Sequence, residues 1–163
     1  MTDRPAEHGH VPGWRFTFVA GFVPLVAGLT ILLATWLATV RPDAPYWLVV
    51  GELNFTHRSL AEAGSHAAEW IDVNGSVSGV NIVAAAIGVM VASRFGLREG
   101  RRWAWWFLAF CFVWVGLHDA VMATKFLVAT GVPLLILPYT YCVLMAIGLI
   151  RSRRVASPSG RDV

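Results

Sequence analysis

The sequence predicts an all-α membrane protein: a four-transmembrane-helix bundle with an amphipathic helix in the outer loop between helices 1 and 2. The first observation is composition, since 56% of the residues are hydrophobic, 14% are charged and the mean hydropathy is +0.60. An ordinary soluble domain is less apolar and carries about 25% charged residues. The second observation is a series of four apolar runs long enough to cross a bilayer. The third is the clustering of basic residues at the ends of those runs.

The chain of 163 residues divides into a membrane domain and two short ends. The predicted parts are a cytoplasmic segment at 1–15, a transmembrane domain at 16–150 with an outer loop at 41–76, and a cytoplasmic tail at 151–163. The spans are expected at about 16–40, 77–97, 103–128 and 132–150. No charged residue lies between Arg15 and Arg41, whereas Pro133 suits the first turn of the fourth helix and Arg151 ends it.

The second span carries small residues at a strict four-residue spacing. These residues are Ala84, Gly88, Ala92 and Gly96. Small side chains on one face let two helix backbones approach closely in a membrane. The spacing therefore predicts that this face is the contact with a neighbouring helix.

The outer loop holds most of the acidic residues, and its sequence predicts one or two short helices. Asp43 followed by Pro45 is typical of a helix start, and Asn74-Gly75 is typical of a turn. At 100° per residue, apolar and polar side chains separate onto two faces. The apolar face comprises Leu53, Leu60, Ala63, Ala67, Trp70 and Ile71, and the polar face comprises Arg58, Glu62, His66 and Glu69. We expect an amphipathic helix that caps the bundle.

The distribution of positive charge predicts the orientation. Of the 13 Lys and Arg residues, three lie on the side of the long loop, namely Arg41, Arg58 and Lys125, and the others lie at the two termini or near residue 98. The positive-inside rule then places both termini in the cytoplasm. The preference for Arg over Lys suggests a GC-rich bacterial genome, so the expected location is the bacterial cytoplasmic membrane. This pattern explains the net charge of +3 without nucleic-acid binding.

The pair His118-Asp119 is the most informative chemical feature of the sequence. A carboxylate inside a span costs about 2.5 to 3.5 kcal/mol on insertion scales and usually has a partner. Asp119 lies beside small residues and opposite the broad apolar face of its helix, so it is expected to face the bundle interior. A structural role, in which Asp119 accepts hydrogen bonds and fixes helix packing, remains an equal alternative.

Other polar residues are predicted at the same depth, about 10 Å below the outer end of the third span. They are Thr35, Asn81, Tyr139, Thr140 and Tyr141, with His57, Glu62, His66 and Glu69 above them on the outer loop. Together they would form an outward-facing polar site. Glu62, His66 and Glu69 are also weak candidates for metal ligands, completed by His57 or His118. The same spacing is more typical of a solvated helix face.

No motif for a cofactor is present, and none is predicted. Cys111 and Cys142 lie within apolar runs rather than in a Cys-x-x-Cys pattern, which argues against paired-thiol redox chemistry. The interpretation that fits best is a membrane bundle that binds a lipid-like ligand or a membrane-protein partner, in contact with membrane lipids. The alternatives are a membrane enzyme that uses His and carboxylate groups, with or without a metal, on a lipid-like substrate, and a small transporter that acts as an oligomer.

Overall fold

The computed structural model describes residues 10–48, 51–64, 66–131 and 136–157. The helices are α1 (Trp14–Ala20), α2 (Phe22–Val40), α3 (His57–Ala63), α4 (Ala67–Val91), α5 (Arg102–Cys111), α6 (His118–Thr130) and α7 (Ile136–Arg151), and the strands are β1 (Pro45–Leu48) and β2 (Gly51–Thr56). Two π-helical segments, Ala92–Gly96 and Phe112–Leu117, continue α4 and α5. The predicted fourth-span start at Pro133, most of the cytoplasmic segment and the end of the tail lie outside the described residues.

Three helical stretches are long and apolar enough to cross a membrane. They run over Trp14–Val40, Ala67–Glu99 and Arg102–Ala129, with 27, 33 and 28 residues. About 20 apolar residues suffice to cross the hydrocarbon core. Helix α7 is apolar but has 16 described residues. The structure is therefore mostly helical, with three helices that have the length and apolar composition of membrane spans, and the first and third of these begin and end close to the predicted residues.

The predicted helix start at Asp43-Pro45 is wrong, because the chain forms a β-hairpin there. Pro45 begins β1, which pairs antiparallel with β2 through Trp47 opposite Glu52 and Leu48 opposite Gly51. Aromatic residues favour extended backbone, and Gly weakens a helix. The local composition therefore outweighs the helical periodicity on which the prediction depended.

The residues assigned to one amphipathic helix are divided among three elements. Leu53 lies in β2, Leu60 in α3, and Trp70 in α4. Helix α3 begins at a capping box in which Thr56 accepts a hydrogen bond from the Ser59 backbone N–H at 3.0 Å, and the Ser59 hydroxyl interacts with the Thr56 backbone N–H at 2.9 Å. This cap sets a helix start that the apolar pattern alone did not reveal.

The second span begins at Ala67, ten residues before the predicted start at 77. Asn74-Gly75 lies inside α4 and makes no turn. Glycine is needed here for packing, because a Cβ at Gly75 would collide with the Thr35 side chain of α2. One turn later, a Cβ at Gly79 would stand 2.6 Å from Cγ of Leu32. Helices α2 and α4 make the most extensive helix contact in the described structure.

The predicted seam of small residues is correct in one half and wrong in the other. Ala84 is exposed, and the nearest atom to a Cβ at Gly88 would be Cζ of Phe107 at 3.7 Å, which is an ordinary contact. Ala92 and Gly96 are buried at the other end of the span. The close approach to α2 occurs instead through Gly75 and Gly79, which are not among the residues predicted for the seam.

The bundle has two ends, which we name by their residues. At the arginine end, where Trp14, Arg98 and Arg151 lie, α1 packs tightly on α7 because Gly148 lies against Thr17. The Trp105 indole donates a hydrogen bond to the Leu149 carbonyl at 3.2 Å across this region. The hairpin end comprises β1, β2 and α3, where Tyr46 packs with Ala34 and Ala38 of α2.

Candidate functional site

Asp119 lies at the start of α6, directly after the π segment Phe112–Leu117, and lines a small cleft of about 60 Å³. The cleft is lined by Val23, Pro24, Ala27, Ile82, Val115, Gly116, Asp119, Leu137, Pro138 and Tyr141. These residues come from α2, α4, the π segment, α6 and α7. Asp119 and Tyr141 supply its polar side-chain groups, and the remainder of the lining is apolar. π segments inside helices are frequent at functional sites.

The cleft is open on the α6 side because α6 has few contacts with α2 and α4. Gly116 lets the ring of Tyr141 approach the π segment, since a Cβ at 116 would be 2.9 Å from Tyr141 Cε1. Tyr141 is buried. Beyond this contact α6 packs mainly against α7, with few contacts to α2 and α4. The Asp119 side chain therefore remains 51% exposed at the mouth of the cleft.

His118 adjoins Asp119 but contributes little to its coordination. Its Nδ1 is 3.6 Å from Asp119 Oδ1, beyond ordinary hydrogen-bond distance, and its side chain is 69% exposed. Among the residues that the structure describes, no other charged group forms an ion pair with Asp119. Among these described residues, the Asp119 carboxylate is thus incompletely satisfied.

The predicted depth of Asp119 needs correction. The cleft places Asp119 beside Pro24 and Ala27, near the middle of the Trp14–Val40 span. Thr35 is eight residues beyond Ala27, or about 12 Å along the helix, and it packs against Gly75. Thr35 therefore does not belong to the polar layer around Asp119. The prediction measured depth from equal helix ends, whereas the second span extends much farther at the hairpin end.

Most of the other predicted members of this layer do not line the cleft with Asp119. Asn81 and Thr140 are exposed, and the Thr140 hydroxyl donates to the Ile136 carbonyl at 2.7 Å. Tyr139 is 49% exposed, with its hydroxyl 3.2 Å from Thr124 Oγ1. Tyr141 alone of these candidates lines the cleft with Asp119.

Of the loop candidates, His57 belongs to a separate polar cluster at the hairpin end. His57 Nε2 is 2.9 Å from Asp72 Oδ2, and the Tyr46 hydroxyl donates to Asp72 Oδ1 at 3.2 Å. Burial first, then the negative charge of Asp72 and this hydrogen bond, raise the pKa of Tyr46 to about 12. The cluster joins β1, α3 and α4. The role of Asp72 has no local signal in the sequence, because its partners are 15 and 26 residues away and meet it only when the hairpin closes.

The weak metal prediction loses its geometric basis. Glu62 lies in α3 and Glu69 in α4, whereas His66 lies between the helices in a left-handed conformation with φ 69°. The three residues therefore do not share one helical face, and all three are exposed. Within residues 10–48, 51–64, 66–131 and 136–157, no group of three His, Cys, Asp or Glu side chains could hold a metal ion.

The arrangement offers one intramembrane hydrogen-bond acceptor next to an apolar crevice. His66 lies at the hairpin end and Tyr139 bonds with Thr124, so these side chains do not converge with Asp119 and His118 as an enzyme site would require. Comparison with protein-family models, curated proteins and solved structures finds no match to this chain.

Proposed function

We propose that the chain is a four-pass protein of the bacterial cytoplasmic membrane that binds a membrane-embedded partner or lipid-like ligand through Asp119 and His118. In this proposal α7 is the fourth span and both termini are cytoplasmic. Contacts near the chain ends support an even number of crossings, since a Cβ at Gly13 would be 2.9 Å from Cβ of Arg151. The Val11 backbone N–H also donates to the Arg98 carbonyl at 3.3 Å, at the same end.

The main support for a binding function is that the Asp119 carboxylate is half exposed. It lies near the middle of the spans, where surrounding lipid would not satisfy it. The neighbouring His118 is 3.6 Å away and does not complete its hydrogen bonding. An unpaired carboxylate in the membrane interior is energetically unfavourable. A group from outside the chain that supplies an N–H, an O–H or a positive charge would reduce this free-energy cost.

The size of the cleft restricts how the partner binds. A water molecule occupies about 30 Å³ in the liquid, so a cleft of about 60 Å³ holds only a small group. Pockets for whole small molecules usually measure about 300 to 1,000 Å³. The body of the partner must then lie on the apolar surface of α6 and the π segment, where Trp114, Leu117 and Met122 are exposed. A helix or an elongated lipid-like molecule fits this requirement.

Native mass spectrometry of the full chain in mild detergent tests the proposal. We compare wild type, Asp119→Asn, His118→Gln and the control Asp43→Asn, in which a carboxylate also becomes an amide at an exposed ion pair with Arg58. Asn retains the size and much of the hydrogen-bonding capacity of Asp but lacks the charge. We expect wild type and Asp43→Asn to retain a specific bound mass, and Asp119→Asn to retain about tenfold less at equal thermal stability.

A bound mass that is equal in all four proteins, or missing from all, would contradict a binding role for Asp119. The packing role would then account for the residue. A loss in Asp43→Asn as large as that in Asp119→Asn would show that the effect is nonspecific.

Cysteine labelling tests the topology separately. In a chain whose native cysteines are replaced by alanine, a membrane-impermeant maleimide should label Glu62→Cys in intact cells and leave Ser157→Cys unmodified until the cells are lysed. Both positions are exposed in the structure. The reverse pattern would invert the orientation, and labelling of both sites in intact cells would rule out an arrangement with four spans.

A further inference from the structure

Three guanidinium groups surround one indole ring at the arginine end. The Cζ atoms of Arg15, Arg94 and Arg98 lie 5.7, 5.6 and 5.5 Å from the centroid of the Trp14 ring. All three are within the range of a cation–π contact. The indole thus gathers three positive charges in a small volume.

A fourth arginine, Arg151, lies at the same end of the bundle. The Cζ atom of Arg151, at the end of α7, lies 5.4 Å from the centroid of the Phe16 ring. Arg15 belongs to α1, Arg94 to the π segment after α4, and Arg98 to a short 3₁₀ helix, Leu97–Glu99, that follows. The four residues, which we call the arginine cluster, therefore come from four elements that the fold brings to the same end of the bundle.

The positive charge of this cluster is not neutralised within the described part of the chain. The carboxylates that form ion pairs there bind other groups: Asp43 pairs with Arg58, Asp72 with His57, Glu99 with Arg101 and Asp119 with His118. Like charges held close together repel, so the cluster favours occupation by an anion.

The surroundings of the cluster identify the anion by its chemistry. Apolar side chains next to it are widely exposed, with Val19 at 49%, Phe95 at 64% and Ile150 at 65%. Such a boundary between apolar helix surface and basic helix ends matches the junction of acyl chains and headgroups in a bilayer. Guanidinium groups bind phosphate oxygens through two parallel hydrogen bonds.

We propose that the arginine cluster binds the phosphate headgroup of an anionic phospholipid, with the acyl chains against the exposed apolar residues beside it. This site is independent of Asp119, which lies near the middle of the spans. The shared chemistry is phosphate binding by arginine, and the source is a membrane lipid rather than a free phosphate ion.

Lipid retention by the full chain in detergent measures the site. Phosphatidylglycerol, phosphatidylcholine and inorganic phosphate are titrated separately and bound masses are counted by native mass spectrometry. The test variant is Arg94→Gln with Arg98→Gln. The control is Arg101→Gln with Arg102→Gln, which removes the same charge from nearby positions in the chain but leaves the cluster intact. Arg15→Gln with Arg151→Gln, both exposed, repeats the test if the first variant does not fold.

We expect wild type and the control to prefer phosphatidylglycerol over phosphatidylcholine, and the test variant to bind phosphatidylglycerol about 30-fold more weakly. Equal weakening in the test and control variants would show that net charge alone attracts lipid, which overturns the cluster. Equal retention of the two lipids by wild type would also overturn it. Binding of inorganic phosphate as tight as that of phosphatidylglycerol would overturn the lipid as the source.

Discussion

Two halves of the bundle pack in different ways. Where α2 meets α4, glycine at positions 75 and 79 brings the backbones close to Thr35 and Leu32, and the contact continues along both helices. Where α6 leaves the π segment, it packs mainly against α7, and Asp119 remains half exposed beside a small cleft. The closely packed half stabilises the fold, whereas the open half contains the half-exposed carboxylate of Asp119.

This difference indicates where substitutions should affect stability and where they should affect binding. Helix association in lipid depends on van der Waals packing, because lipid tails are as apolar as the helices themselves. A helix with few packing contacts to its neighbours, such as α6, therefore separates more easily and leaves space for a partner. The four predictions below test this contrast, beginning with the largest expected effect.

Gly79→Leu should destabilise the protein by about 3 kcal/mol, because the new side chain would overlap with Leu32 at a contact that cannot widen without separating α2 from α4. Unfolding in mixed micelles measures the change. Val80→Leu is the control, since Val80 is 57% exposed on the next position of the same helix. If both variants unfold at the same denaturant concentration, the tight α2–α4 contact does not exist.

Gly116→Leu should lower the free energy of unfolding by less than Gly79→Leu does, about 2 kcal/mol, although a Cβ at position 116 would lie 2.9 Å from the Tyr141 ring. The loosely packed α6 side gives the helix room to shift. The same unfolding assay applies, with the exposed Val113→Leu as the matched substitution on the π segment. A loss as large as that of Gly79→Leu would mean that the two halves are equally rigid.

Asp72→Asn should destabilise the protein by about 1 kcal/mol, because it weakens the contacts with His57 and Tyr46 that attach the hairpin to α4. Asp43→Asn provides the comparison, since its ion pair with Arg58 is largely exposed and should contribute little. Thermal unfolding at neutral pH distinguishes the two. Equal melting temperatures would show that the hairpin cluster does not support the packed half.

The pH dependence from Tyr46 should be the smallest effect. The pKa of Tyr46 in the folded protein, about 12, lies above the ordinary value of 10.0. The contribution of Tyr46 to the free energy of unfolding is therefore complete below pH 10 and is lost as the pH rises through 12. The melting temperature of wild type should therefore fall more between pH 8 and pH 12 than that of Tyr46→Phe. A constant difference between the two proteins over this interval would argue against the contact of Tyr46 with Asp72.

Local signals in the sequence predicted the first and third spans well. Arg15 and Arg41 bracket the first apolar run, and the structure gives a span of Trp14–Val40. The second span was less predictable because Asn74-Gly75 has the local chemistry of a turn, and only the approach of Thr35 explains why glycine occurs there.

In the candidate site too, local sequence was enough to find one residue, whereas the residues near it in space could not be predicted. Asp119 could be found because a carboxylate in an apolar run is itself the signal. Its companions could not be found by counting depth, since the second span extends ten residues farther toward the hairpin end than predicted. The role of Asp72 was also hidden, because its contacts with Tyr46 and His57 depend on the β-hairpin.

The α2–α4 contact also bears on how the protein is assembled. These two helices belong to the first two spans in the chain, and a hairpin and one short helix separate them. Proteins are synthesised from the N-terminus, and early segments can fold before later ones are made. We therefore expect α2 and α4 to pair in the membrane while the ribosome is still translating α5 to α7, so that the later helices dock onto a preformed pair.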